Sequence, residues 1–70
     1  MDFISWFAKN FRELRQAEGM TQREFAEASG VGIATIERIE RGGTIPSMST
    51  CLLIAKALGI RLSDLFDGFL

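Results

Sequence analysis

Two stretches carry side chains that could do chemistry. Thr21-Gln22-Arg23-Glu24 sets a hydroxyl, an amide and a cation at the head of a helix. Further on, Ile33, Ala34, Glu37, Arg38 and Arg41 follow the i, i+1, i+4, i+5, i+8 rule and share one helix face. Donors and cations in this pattern suit recognition by contact rather than bond making. Catalysis lacks its usual means, so no enzyme is expected: the chain has no histidine to act as a base and no glycine-rich phosphate loop, and its carboxylates are scattered over helix surfaces. With no histidine beside it, the lone Cys51 builds neither an internal disulfide nor a zinc site. No metal or cofactor is expected, and Cys51 reads as a small buried hydrophobe.

The elements that must position these residues are legible from periodicity and caps. Ile4, Phe7, Phe11 and Leu14 recur at helical steps and predict a first helix from Asp2 to Glu18, capped by Asp2 and stopped by Gly19. Thr21-x-x-Glu24 is a capping box: the threonine oxygen accepts a backbone N–H, and Glu24 reaches back to the cap's own N–H. It opens a short helix that turns Phe25 and Ala26 inward and ends at Ser29-Gly30. A third helix runs from about Ile33 to Arg41, with Ile36 and Ile39 as its buried stripe and Gly42-Gly43 as its end. Ser47 caps a fourth helix reaching Leu58-Gly59, and a short fifth covers Ser63 to Phe66. The expected fold is all-α, a compact bundle of four to five short helices.

Seventy residues make one domain, 1–70. A chain this short buries only about 60% of its unfolded surface, so a dense core or self-association has to supply stability. The apolar fraction of 47%, with six Phe and one Trp, fits either. The acidic, apolar start is wrong for a signal peptide, and the longest apolar run falls far short of the roughly 20 residues of a membrane helix. No membrane association is expected, and the location is expected to be cytoplasmic. The net charge of −1 argues against binding nucleic acid through bulk charge and leaves placement to decide.

The two short helices joined by a glycine turn, Thr21 to Arg41, have the spacing of a helix-turn-helix, whose second helix can enter the major groove. Gly19-Met20-Thr21-Gln22, Phe25-Ala26, Gly30-Val31, Thr35-Ile36, Ile39-Glu40-Arg41-Gly42, Pro46-Ser47 and Leu58-Gly59, in this order and spacing, resemble the Cro and phage-repressor type of helix-turn-helix family, the XRE-like regulators. The likeness covers about residues 7 to 66. It implies a lambda-repressor-like DNA-binding domain, a small homodimeric transcriptional regulator of bacterial or phage origin, and double-stranded DNA bearing an inverted-repeat operator as the partner.

Site residues follow from the same resemblance. Base contacts fall to Gly32, Ile33, Ala34, Glu37 and Arg38; phosphate contacts fall to Thr21, Gln22, Arg23, Arg41 and Thr44, helped by the Gly42-Gly43 amides, Lys9 and Arg12. Arg15 and Glu40 form a partly buried ion pair joining the first and third helices. The sequence departs from the family in having Gly, Ile and Ala where relatives often carry polar groups. Apolar groups read a thymine methyl but make no hydrogen bonds, so Arg38 is the best candidate for a bidentate guanine contact, with a solvated arginine as the bland reading. Glu37 could accept from cytosine, repel phosphate, or pair with Arg41.

Five side chains are surplus to one core and are candidates for a dimer interface: Phe3, Trp6, Leu53, Phe69 and Leu70. Phe3, Trp6 and Phe69 could equally thicken a monomer's core, whereas Leu53 sits among polar neighbours. The rival to DNA binding is a protein-interaction module that keeps the fold and takes a protein partner. The acidic balance and Gly32-Ile33-Ala34 favour it; Gln22, Arg38 and Arg41 oppose it.

Overall fold

A computed structural model describes residues 2–69. Its helices start where a neighbouring group can satisfy their free N–H groups. For α1 (Phe3–Ala17), the Asp2 carboxylate accepts the Ser5 N–H at 2.8 Å, a bond that holds this carboxyl below its usual range. At α2 (Gln22–Ser29) the capping box closes in both directions. Thr21 Oγ1 accepts from Glu24 N at 3.1 Å, and Thr21 N donates to Glu24 Oε1 at 2.9 Å. Ser47 Oγ accepts the Thr50 N–H at 3.1 Å to open α4 (Met48–Leu58). Between them, α3 (Ile33–Glu40) starts on Gly32, which has no capping side chain.

The fifth helix, α5 (Leu62–Leu65), lies one residue earlier than periodicity predicts. Asp64 accepts the Arg61 N–H at 3.0 Å and so moves the start ahead of Ser63, while Phe66 becomes the C-cap. Likewise Arg41 is the C-cap of α3 rather than its last helical residue. Gly30 adopts φ +82, the left-handed conformation that lets the chain turn sharply from α2 toward α3.

All five helices contribute to one core. Phe7 and Phe11 from α1, Phe25 from α2, Ile36 and Ile39 from α3, Ile54 from α4 and Leu65 from α5 are each less than 2% exposed. Full burial of such side chains is worth about 1.5–3 kcal/mol apiece, so this cluster dominates the stability. Phe11 and Phe25 meet edge to face at 5.1 Å, fixing α2 against α1. Cys51 is buried within the cluster, and burial pushes its thiol pKa up. The fold is all-α, with no strand among the described residues. None of these helices is long and apolar enough to cross a membrane.

A second aromatic cluster joins the two ends of the described chain. Phe69 meets Phe3 at 5.3 Å and Trp6 at 5.2 Å, and Phe3 also reaches Phe66 at 6.1 Å. Phe3, Trp6 and Phe69 are therefore half-buried by contacts within one molecule. Leu70 lies outside the described residues.

Candidate nucleic-acid interface

The α2–α3 turn is set by small residues. Gly30 N donates to Ala26 O at 2.9 Å, Ser29 Oγ accepts the Val31 N–H at 3.1 Å, and buried Val31 pins the turn to the core. Because Ile36 and Ile39 are drawn into the core, the other side of α3 must face outward. Ala34, Glu37, Arg38 and Arg41 are exposed along that side, Ile33 is half-buried, and Gly32 is exposed ahead of it. The five residues assigned to base reading thus lie together at the exposed start and along the outer face of one helix.

Beneath this face lies a charged network. Arg15 holds Glu40 with two bonds, Nε to Oε2 at 2.7 Å and Nη2 to Oε1 at 2.9 Å, and both side chains are buried. The bond to Glu40 holds the Arg15 guanidinium above its usual pKa. A third bond, Arg15 Nη1 to Met20 O at 2.8 Å, ties the α1–α2 turn to the same point. Two planar groups sharing parallel bonds give a rigid joint, so α3 is fixed against α1 in rotation as well as distance.

Gln22 completes the network by donating from Nε2 to Glu40 Oε1 at 3.2 Å. An amide nitrogen carries two hydrogens, so the second remains for another acceptor. Arg12 donates to the Glu40 carbonyl at 2.7 Å, and its Nε lies 3.7 Å from the Glu40 carboxylate. Arg12, Gln22, Glu37, Glu40 and Arg41 line one shallow cleft. Glu37 and Arg41 share this cleft without a direct ion pair among the described residues.

The remaining assigned residues surround the same face. Thr21 and Arg23 sit exposed at the start of α2, and Thr44 is half-buried in the loop before α4. Gly42, at φ +73, and Gly43 close α3 through bonds from Gly42 N to Ile39 O at 3.0 Å and Gly43 N to Arg38 O at 2.9 Å. Leu53 lies elsewhere, on α4, and is 42% exposed.

Sequence reasoning underrated two features. Arg12 stands one helical turn before Arg15, a spacing that could have marked it as a second ligand of Glu40. Ile45, Met48 and Leu52 are even more exposed than Leu53, and the steps of three and four from Ile45 to Met48 to Leu52 were the signal available.

Two short helices joined by a glycine turn, the second presenting an outer face to solvent, make a helix-turn-helix. The chain belongs to the Helix-turn-helix family, whose model matches residues 11–65. It is 35% identical over 60 residues to the HTH-type transcriptional regulator DdrOP3 of Deinococcus deserti, spanning 86% of this chain and 46% of that protein. It is 38% identical over 59 residues to the HTH-type transcriptional regulator PuuR of Escherichia coli, spanning 84% of this chain and 32% of that one. The chain thus spans less than half the length of these two relatives. Among solved structures, the restriction-modification controller protein C.AhdI from Aeromonas hydrophila superposes with a TM-score of 0.85 at 35% identity, covering 90% of this chain and 91% of that one. Both curated relatives are HTH-type transcriptional regulators.

Proposed function

We propose that this chain is a cytoplasmic transcriptional regulator that binds duplex DNA sequence-specifically as a homodimer, with α3 lying in the major groove. The observation that carries this reading is the Arg15–Glu40–Gln22 network. It spends three hydrogen bonds on a buried carboxylate to hold one exposed helix face rigid. A rigid face is what groove reading needs, because each base contact must be placed before binding rather than found during it.

In this reading Arg38 takes guanine by a bidentate contact, Ile33 and Ala34 pack on thymine methyls, and Gly32 lets the backbone approach closely. Glu37, beside Arg12 and Arg41 in the cleft, excludes a phosphate from its own position and so sets the register. Gln22 offers its free amide hydrogen to a phosphate, with Thr21, Arg23, Arg41 and Thr44 along the same strand. Phosphate contacts set orientation and salt dependence but carry no sequence information.

The dimer is supported by apolar surface on and just before α4. Ile45, Met48 and Leu52 are each more than half exposed, and Leu53 adjoins them. Isolated exposed hydrophobes are ordinary, but four within one short stretch of sequence favour an interface. A two-fold dimer would meet an inverted repeat with half-sites about 10 base pairs apart.

Leu53→Glu tests the pairing because it sets a charge in this surface without touching the core. Sedimentation of the variant should shift toward the monomer, and its affinity for an inverted-repeat duplex should fall while binding to an isolated half-site persists. An unchanged mass distribution would remove Leu53 from the interface.

A further inference from the structure

We propose that Gly43 is a positioning residue for Arg38, and that its missing side chain sets the path by which the Arg38 guanidinium reaches DNA; this rests on the base-reading role proposed for Arg38. Two glycines follow α3, and only the first is required by the backbone. Gly42 has φ +73, where a side chain is strained, whereas Gly43 is not left-handed. Any constraint on residue 43 comes from space instead.

That space is occupied by Arg38. A β-carbon on residue 43 would lie 3.2 Å from Arg38 Cγ, tighter than most such contacts, and 3.4 Å from Arg38 O, an ordinary van der Waals distance. In this type of helix end, the residue after the left-handed glycine commonly carries a hydrophobic side chain that packs on the helix's last turn. Here that side chain is absent, and the methylene stem of Arg38 lies over the bare backbone of Gly43. The contact removes conformations that a free arginine would sample. It therefore directs a long side chain toward one reading position before DNA arrives.

The flexible partner decides what a substitution does. Arg38 is exposed, so in Gly43→Ala its stem can yield by a few tenths of an ångström and the helix end can persist. The guanidinium then leaves on a different path. In the native protein the Gly43 N–H bonds to Arg38 O, and alanine retains that donor.

The test sequences the duplexes retained from a random pool by four proteins: the wild type, Gly43→Ala, Arg38→Ala and the double variant. Arg38→Ala should flatten the preference at one base pair per half-site. Gly43→Ala should weaken the preference at that same base pair by about fivefold, the lower end of what one bidentate contact supplies. The double variant should match Arg38→Ala alone, and its Tm should equal or exceed that of Gly43→Ala, since the crowded Cγ has gone.

The outcomes separate the two claims. If Arg38→Ala flattens its base pair and Gly43→Ala leaves it intact, the positioning role is wrong while the reading role stands. If Gly43→Ala weakens every duplex alike, or destabilises the fold without rescue by Arg38→Ala, the glycine serves the loop and not Arg38. Full preference in Arg38→Ala removes the reading role itself.

Discussion

Arg15→Ala should lower the melting temperature by more than about 12 °C. The substitution deletes both strong bonds to Glu40 and leaves a buried carboxylate behind. Breaking a buried pair from one side costs about 3–5 kcal/mol, because the remaining charge is neither solvated nor matched. Gln22 at 3.2 Å and Arg12 at 3.7 Å still face Glu40, which places the loss near 3 kcal/mol, the lower end of that range. In a domain of this size each kcal/mol moves the midpoint by about 4–8 °C. Total stability near 0.05–0.15 kcal/mol per residue leaves little reserve. Thermal unfolding followed by circular dichroism measures the effect, and a midpoint within two or three degrees of the wild type would contradict it.

The companion double variant, Arg15→Met with Glu40→Leu, separates stability from function. Replacing both charges with apolar side chains of similar bulk removes the desolvation cost along with the attraction, so the midpoint should recover most of its loss. DNA affinity should not recover. Gln22 would have lost its acceptor, and nothing would then hold its amide toward the phosphate strand. Recovery of both together would make the network a matter of stability alone.

The second large effect falls on specificity. Arg38→Ala should reduce discrimination at one base pair of each half-site by about 1–3 kcal/mol, or roughly five- to 150-fold, and leave the other positions as they were. The side chain is exposed and takes part in none of the ion pairs among the described residues, so the fold should be unaffected. Competition between duplexes altered one base pair at a time measures the change. An unaltered order of preference would show that Arg38 is only a solvated surface cation. A drop that is equal for every duplex would place it on phosphate instead.

How much of this was legible in sequence depends on whether the signal was local. The capping box at Thr21 and the left-handed glycine at Gly30 act within a few residues of themselves, and both ends of α2 stand where they were expected. The outward face of α3 was legible for a related reason: a helix of eight residues with two inward isoleucines has only one other side to present. By contrast, α4 is apolar nearly all round, with Met48, Cys51, Leu52, Leu53, Ile54 and Leu58 on every side. Periodicity could not say which of them the core takes. Leu53 is the one that its polar neighbours single out.

Other features depended on contacts across the chain. Phe3 and Trp6 look surplus when read beside α1 alone, and it is Phe69, at the far end of the chain, that packs on both. Arg12 reads as one cation among several unless its spacing from Arg15 is weighed, and its shorter contact, to the Glu40 main-chain carbonyl, leaves no mark in the sequence. The α5 boundary moved for a small local reason, the reach of Asp64 back to Arg61. The crowding of Arg38 against Gly43 was likewise invisible, since the sequence shows two adjacent glycines and backbone geometry distinguishes them.

The most direct test of specific, dimeric DNA reading is selection from a random duplex pool by the purified wild-type protein at moderate salt, followed by sequencing of what is retained. The expected result is enrichment of an inverted repeat with half-sites about 10 base pairs apart and a guanine at a fixed place in each. Retention without any enriched sequence, vanishing at modest salt, would reduce the interaction to charge attraction and turn the search toward a protein partner.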